Sequence, residues 1–433
     1  MTSWRTWGRT ETVHSAHVAR PGSVDAVAEV VTHAARDGRQ VRAVGSGHSF
    51  SAVAVAPDIR LDTSRLTGLV AVDVHSRRAR FRAGTTLHDV AESLAPYGLA
   101  MANLGDIDGQ TLAGAISTGT HGTGLAWGGL CTQVVGLTLV TGAGEVVRID
   151  DAERSDVLPA ARLALGALGV IVEVELQCVE SFALRATEIV EPLDDVVDAF
   201  AERAANADHL EFYWFPHTRV ACTKTNERLP LDQPLSPRGP ARRFVDEVLV
   251  EGYGYRMLNT VALAVPAIVP PVNRLAAGLF ARGQHSDAAH RVFTTRRTTR
   301  FVEMEYALPL DAVPEAFREV RRLIETRGWR VEFPIEVRAA AADDVWLSTA
   351  YGRPTAYIAV HRYHRQPHGE YFSAVEQVLA AFGGRPHWGK MHGRVQADLA
   401  GLYPRFADFA RVRDRLDAAR TFSSAYLERI LGH

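Results

Sequence analysis

The sequence predicts an α+β protein, and three patterns carry that expectation. Helical and strand periodicities alternate through the first third of the chain, composition changes after about residue 183, and beyond residue 310 the order is helix, strand, strand, helix. With 433 residues, 47% of them hydrophobic, the chain is long enough for two or three domains with cores of their own. Its 48 basic and 50 acidic residues leave a net charge of -2 with no long run of either sign, which argues against a nucleic-acid or membrane-surface protein.

Ser23 is placed to cap a helix in which Val24, Val27, Ala28, Val31 and Ala35 recur at helical spacing until Gly38. A short strand over 40–44 runs into the glycines of Gly45-Ser46-Gly47-His48-Ser49. Residues 69–74 and 79–84 are expected strands joined by a polar turn, and Thr86, with Asp89 three residues on, opens a helix carrying Leu87, Val90, Ala91 and Leu94. Segments 135–141 and 145–149 flank Gly142-Ala143-Gly144 as a hairpin. In 169–177, Val170, Val172, Val174 and Leu176 share one strand face.

The proline-rich stretch 229–240 is expected as a surface loop of a second unit. Asp311 is expected to cap a helix whose stripe is Ala316, Phe317, Val320, Leu323 and Ile324, stopped by Gly328. Strands are expected over 331–338 and 356–363, and Phe372, Val375, Leu379 and Phe382 mark a further helix ending at Gly383-Gly384. Cys131, Cys178 and Cys222 are too far apart for a zinc knuckle or disulfide framework, so a reducing, cytoplasmic setting is expected. The greasiest stretch, about 258–281, is interrupted by Pro266, Pro270, Pro271 and Arg274, so no membrane span is expected.

Two glycine clusters carry the first chemical signal. Around Gly45 and Gly47, bare backbone amides could meet phosphate oxygens, although on these glycines alone a plain tight turn is the better reading. The second cluster interleaves Gly114, Gly119, Gly122 and Gly124 with Thr111, Ser117, Thr118 and Thr120. Two such loops in one α/β half, without a Walker lysine, favour a bound dinucleotide over a transferred phosphate.

Alternation in 331–338 puts Val331, Phe333, Ile335 and Val337 on one face and Glu332, Glu336 and Arg338 on the other, open to a ligand or to solvent. By the same rule Tyr357, Ala359, His361 and Tyr363 form an aromatic and imidazole face suited to a sugar-like molecule. His361, His364, His368, His387 and His392 crowd one stretch, but their spacing lacks a metal-ligand pattern, so no metal is expected. Arg291, Arg296, Arg297 and Arg300 are most simply a solvated face.

From Val41 to Ser51 the chain resembles the FAD-linked oxidoreductases of the vanillyl-alcohol oxidase superfamily, in its aldonolactone and alditol oxidase branch. The marks are VRAVGSGHSFS, LAGAISTGTHGTG, the run Leu165 to Ile171, FPIEVR, and RPHWGK at Arg385 to Lys390, and the resemblance covers nearly the whole chain. It implies an FAD-binding domain of two α/β subdomains over 1–182, a cap over 183–392 with an antiparallel sheet flanked by helices, and a return of 393–433 to the FAD domain. Val44, Gly45, Ser46, Gly47, His48 and Ser49 match the pyrophosphate loop, with His48 at the position that in many members bonds covalently to the flavin. Thr111, Gly114, Ser117, Thr118 and Gly122 match the second FAD loop, and Gly169, Val170 and Val172 the adenine side.

The resemblance also places Gly105, Asp106 and His387 beside the flavin, and Arg338, Lys390, His361 and Glu336 facing substrate. Gly105 stands where side-chain size governs access of dioxygen to the flavin, and its smallness tilts the reading to an oxidase. Asp106 stands where alditol oxidases carry a small hydroxyl residue, which weakens that alternative. Ser424 replaces the usual asparagine of the C-terminal segment, with only a local effect expected. The activity implied is oxidation of a sugar lactone such as L-gulono-1,4-lactone, with dioxygen or another acceptor reoxidising FAD. The alternatives are oxidation of a polyol such as xylitol or sorbitol and, from another class, a metal-dependent lactonase.

Overall fold

Ser23 starts the first helix, Val24–Arg36, by accepting the Ala26 N–H at 3.2 Å, and Val27, Val31 and Ala34 bury that helix against a small parallel sheet. Its strands lie in the order His17–Ala19, Ile59–Asp62, Val41–Val44. The computed structural model describes residues 2–433 apart from 16, 231, 240–253, 281, 282 and 296.

A five-stranded antiparallel sheet adjoins it, in the order Val146–Asp150, Val134–Val140, Val170–Gln177, Arg78–Arg82, Leu69–Asp73. Helices Leu87–Leu94 and Leu112–Thr118 share its core, capped by the Thr86 and Thr111 hydroxyls. Gly119, at φ 81°, ends the second of these helices in the left-handed region that glycine adopts without strain.

The larger sheet has eight strands, ordered Gly283–Ala288, Ala183–Pro192, Val220–Leu229, His209–Trp214, Ile335–Ala340, Thr355–Tyr363, Phe301–Pro309, Arg385–Pro386, all antiparallel. Strand alternation divides its faces. Phe212, Trp214, Met304, Ile335, Val337, Ile358 and Val360 share a core with Val197, Phe200, Phe317, Val320, Val375 and Leu379 of helices Leu193–Ala205, Val313–Arg327 and Gly369–Ala381. The residues between them, Glu211, Tyr213, Glu303, Glu305, Glu336, Arg338, Tyr357 and His361, take the opposite face.

Residues beyond 393 pack back into the core of the five-stranded sheet, where Leu399, Phe406, Phe409, Leu427 and Ile430 join Leu112, Ile116 and Leu139. The Val41 N–H donates to Thr421 O at 2.8 Å, and the buried Arg42 guanidinium donates to the carbonyls of Val53, Leu165, Gly166 and Phe422 at 2.7–3.2 Å. Ser424 caps helix Ala425–Leu431 by accepting the Leu427 N–H at 3.3 Å.

Two local expectations fail. Asp311 lies inside a short 3-10 turn, Leu310–Ala312, and the helix begins at Val313, with Pro314 in its first turn where a missing N–H costs nothing. The strand expected over 331–338 begins only at Ile335, because Pro334 cannot donate to the ladder. That break reverses the preceding side chains: Glu332 turns into a buried pair with Arg362 at 2.6 Å, and Phe333 faces the cavity described below. Arg296 and parts of the 229–240 loop and the 258–281 stretch lie outside the described residues. Among the described residues no helix is long and apolar enough to cross a membrane, the helices Tyr255–Ala264 and Val269–Phe280 being separated around Pro266.

Candidate active site

Strand Val41–Val44 delivers the first glycine loop against the N-terminus of helix Leu112–Thr118, and the two are packed too closely for side chains. A Cβ on Gly45 would stand 2.1 Å from Thr111 Oγ1, and one on Gly47, at φ 72°, would meet Trp4 at 2.6 Å. Between them runs a narrow cavity of about 100 Å³, lined by Val44, Gly45, Ser46, Gly47, His48, Ser49, Thr111, Gly114, Ser117, Thr118 and Gly169. Val170 and Val172 face away, into the core with Val27 and Leu61, and the strand offers Ile171 to the cavity instead. Gly122 lines neither cavity; a Cβ there would lie 2.2 Å from Leu104 O, and its own carbonyl accepts His121 Nδ1–H at 2.8 Å.

His48, Ser49, Gln110 and Thr118 also line a wider cavity of about 480 Å³, so the two spaces meet at these residues. His48 Nδ1 is buried without a hydrogen-bond partner, and its ring stacks on Trp7 at 5.9 Å. Burial, reinforced by the charge of Lys390, pushes its pKa below the ordinary histidine value, so the ring is neutral at pH 7. A hydroxyl-lined passage between glycine turns, ending at an unbonded imidazole nitrogen, fits a dinucleotide with its ring end in the wider cavity.

In that wider cavity Arg338 is the centre of charge. Its Nε donates to Glu211 Oε2 at 3.0 Å, and its Nη2 contacts both Asp106 and Glu336. Asp106 therefore serves Arg338, and also Arg297 at 3.3 Å, so Arg297 belongs to the cavity rather than to a solvated face. Burial raises Asp106, but Arg338 first and Arg297 next outweigh it and hold the carboxyl well below its usual range. Glu336 behaves oppositely: burial lifts it, Asp106 and Glu211 add to the rise, and despite Arg338 it reaches about 7.

A second cluster surrounds Lys390. Its Nζ contacts Glu303 Oε2, whose other oxygen lies 3.5 Å from His361 Nε2. Burial works against the charge on Lys390, but Glu303 and Glu305 outweigh it and raise the amine's pKa. Glu305 pairs with His121 Nε2 at 3.3 Å, and the His121 ring stacks on Tyr357 at 3.6 Å. His387 Nδ1 accepts the Gly389 N–H at 3.1 Å, and burial pushes this imidazole down to about 3, so it is neutral. The Gly389 carbonyl accepts the Phe50 N–H at 2.7 Å, joining the lysine loop to the His48 loop.

Glu336, Arg338, His361, His387, Lys390, Gly105 and Asp106 are thus brought to one cavity. Gly105 leaves little slack, since a Cβ there would stand 2.9 Å from His121 O. Sequence reasoning missed Glu303, Glu305, His121 and Glu211, together with Lys224, which lines the same cavity with its Nζ 3.3 Å from Glu211 Oε1. The available signal was Phe-Val-Glu-Met-Glu-Tyr from Phe301, where two glutamates two apart interrupt an apolar strand.

A profile described as FAD binding domain matches residues 15–150. Among solved structures, cholesterol oxidase from B. sterolicum superposes with a TM-score of 0.84 at 16% identity, covering 99% of this chain and 96% of that one. A solvent-stable cholesterol oxidase gives 0.82 at 21%, covering 100% and 97%. These likenesses show the fold, that of the vanillyl-alcohol oxidases, and the profile marks its first part as an FAD-binding domain.

Sequence narrows the class further. A profile described as D-arabinono-1,4-lactone oxidase matches residues 174–430. L-gulono-1,4-lactone dehydrogenase of Mycobacterium tuberculosis is 39% identical over 429 residues, 99% of either chain, and L-gulonolactone oxidase of Bos taurus is 30% identical over 436 residues, covering 99% of this chain and 98% of that one. The chain belongs to the D-arabinono-1,4-lactone oxidase family.

Proposed function

We propose that the chain oxidises an aldono-1,4-lactone such as L-gulono-1,4-lactone at the hydroxyl beside the carbonyl, giving a 2-keto product that tautomerises to an ascorbate-type enediol. The observation that carries this reading is the convergence of Arg338, Lys390 and His361 on the cavity entered by the His48 loop. FAD would be held by the loop 44–49 and by Thr111, Gly114, Ser117 and Thr118, and would supply a hydride acceptor that dioxygen or another electron acceptor could reoxidise.

The chain's own residues manage the proton and the charge. As the hydroxyl loses its proton, negative charge gathers on oxygen, and Arg338 and Lys390, both held cationic by buried carboxylates, stabilise it. His361 Nδ1 lies 3.0 Å from Pro334 O and must donate to it, so Nε2 is the nitrogen that receives the substrate proton. Glu336, poised near neutrality, holds a second substrate hydroxyl. With Asp106 committed to Arg338, where alditol oxidases carry a small hydroxyl residue, the lactone is favoured over a polyol.

In this reading His48 is joined covalently to the 8α-methyl of FAD, and its neutral, unbonded ring nitrogen supports that assignment. The FAD-binding domain comprises 1–182 and 393–433, the cap 183–392, and the enzyme works in the cytoplasm. The test is the visible spectrum under anaerobic conditions before and after L-gulono-1,4-lactone or xylitol. Bleaching by the lactone alone is expected; bleaching mainly by xylitol would favour polyol oxidation, and a protein unable to take up FAD would overturn the reading.

A further inference from the structure

We infer that Glu303 is the shared counter-ion of the site, a positioning residue that ties the charge of Lys390 to proton acceptance by His361. The inference rests on the roles proposed above for those two side chains. Glu303 stands on strand Phe301–Pro309 directly opposite His361 in the antiparallel register, and only 5% of it is exposed. One carboxylate oxygen contacts Lys390 Nζ and the other faces His361 Nε2 at 3.5 Å. Among the described ion pairs it is the one carboxylate that reaches both.

The direction of the coupling follows from the tautomer. A carbonyl has no proton to give, so the bond to Pro334 O keeps hydrogen on His361 Nδ1 and leaves Nε2 as the nitrogen that gains or loses one. A bare Nε2 turns its lone pair towards a carboxylate oxygen, which is repulsive; a protonated Nε2 makes an ion pair there. When the substrate O–H breaks, an N–H forms at Nε2, the hydride leaves for FAD, and the new imidazolium meets a counter-ion already in place. Lys390, sharing that carboxylate, stays cationic in the same geometry. Other groups facing the pair are Glu305 and His387 beside Glu303 and Lys390, His48 beside Lys390, Glu336 beside His361, and Arg338 beyond Lys390. The strand position itself does not depend on the side chain, because Glu303 O accepts the Met391 N–H at 2.9 Å.

Glu303→Gln keeps the shape and removes the charge. In holoenzyme carrying ¹³C-labelled lysine, NMR titration should show the Lys390 midpoint moved to lower pH, because the carboxylate that raises it is gone. Anaerobic flavin reduction by L-gulono-1,4-lactone should slow about 100-fold at pH 7. The basic limb of its pH profile, set by Lys390, should move downwards, with KM changed little. Glu303→Asp should restore part of each effect. A Gln variant with an unmoved titration and an unmoved profile, whatever its thermal stability, would overturn the inference. If the Gln variant does not fold, Glu303→Asp decides by the same two readouts. A wild-type enzyme that the lactone fails to reduce would defeat the substrate assignment alone, since the lysine titration needs no substrate.

Discussion

Glu211 Oε2 accepts the Nε–H of Arg338 at 3.0 Å across adjacent strands, and this bond fixes the guanidinium plane so that Nη2 lies between Asp106 and Glu336. The side chain's orientation is thus set by neighbours before any substrate arrives, which is what stabilising a developing alkoxide requires.

Arg338→Lys keeps the charge but cannot hold three carboxylates with one fork. The expected result is a roughly 100-fold or greater loss in the rate of flavin reduction by lactone, together with a lower Tm from the carboxylates left unpaired. Stopped-flow absorbance and thermal denaturation check it; wild-type reduction rates would remove Arg338 from substrate chemistry.

Lys390→Met removes a cation whose effect is greatest when the substrate oxygen carries most charge. Flavin reduction should slow by about 100-fold or more while the apparent lactone Kd shifts far less. Rapid-reaction titration over lactone concentration separates the two quantities, and a change confined to Kd would assign Lys390 to binding.

Glu336 gives a pH signature in stability. Its carboxyl keeps its proton to about 7 when folded and releases it near 4.5 when unfolded, so between those values the folded state binds more protons and stability falls as pH rises. Glu336→Gln mimics the protonated form. Its Tm relative to wild type should climb across that window and level off on either side; a constant offset would show that Glu336 does not titrate there.

Denatured wild-type protein should keep its yellow colour after acid precipitation, whereas His48→Ala should release any flavin into the supernatant. Flavin retained on denatured His48→Ala would refute the proposed linkage.

Gly45→Ala tests the cofactor passage. The added methyl meets Thr111 Oγ1, which is itself held as the cap of helix Leu112–Thr118 by the Gly114 N–H at 3.3 Å and has little room to yield. In the His48→Ala background, where no covalent bond retains the flavin, the ratio of flavin to protein absorbance at subsaturating FAD should drop at least about tenfold, the factor that about 1.4 kcal/mol of lost binding produces. An unchanged ratio would mean the two loops part readily.

Much of this architecture was legible because local rules wrote it. Ser23 and Thr86 cap helices as their spacing requires, the two glycine clusters meet in one passage, and the alternation of Glu336 with Val337 and Arg338 aims the right side chains at the cavity. What escaped depends on partners distant in sequence. Arg297 looks like one more exposed cation until Asp106, 191 residues away, is placed beside it. In Val170–Gln177 the period was right, but which face meets the cofactor depends on what packs behind Val170 and Val172. Glu332 and Phe333 exchanged places because Pro334 delays the strand, a reversal that period-two counting does not anticipate.

The Arg42 clamp sets a timetable for biosynthesis. Its link to Phe422 spans 380 residues, which a ribosome adds in about 20 to 80 s. Throughout that interval the strand leading into the His48 loop lacks its Thr421 partner, and the guanidinium lacks at least one of its four carbonyls. The nascent chain therefore carries an open strand edge next to an incomplete cofactor passage, the kind of edge that invites pairing with other chains. Slow translation or an early stop in the last stretch of the message should accordingly appear in the cell as colourless aggregate rather than as soluble enzyme lacking flavin.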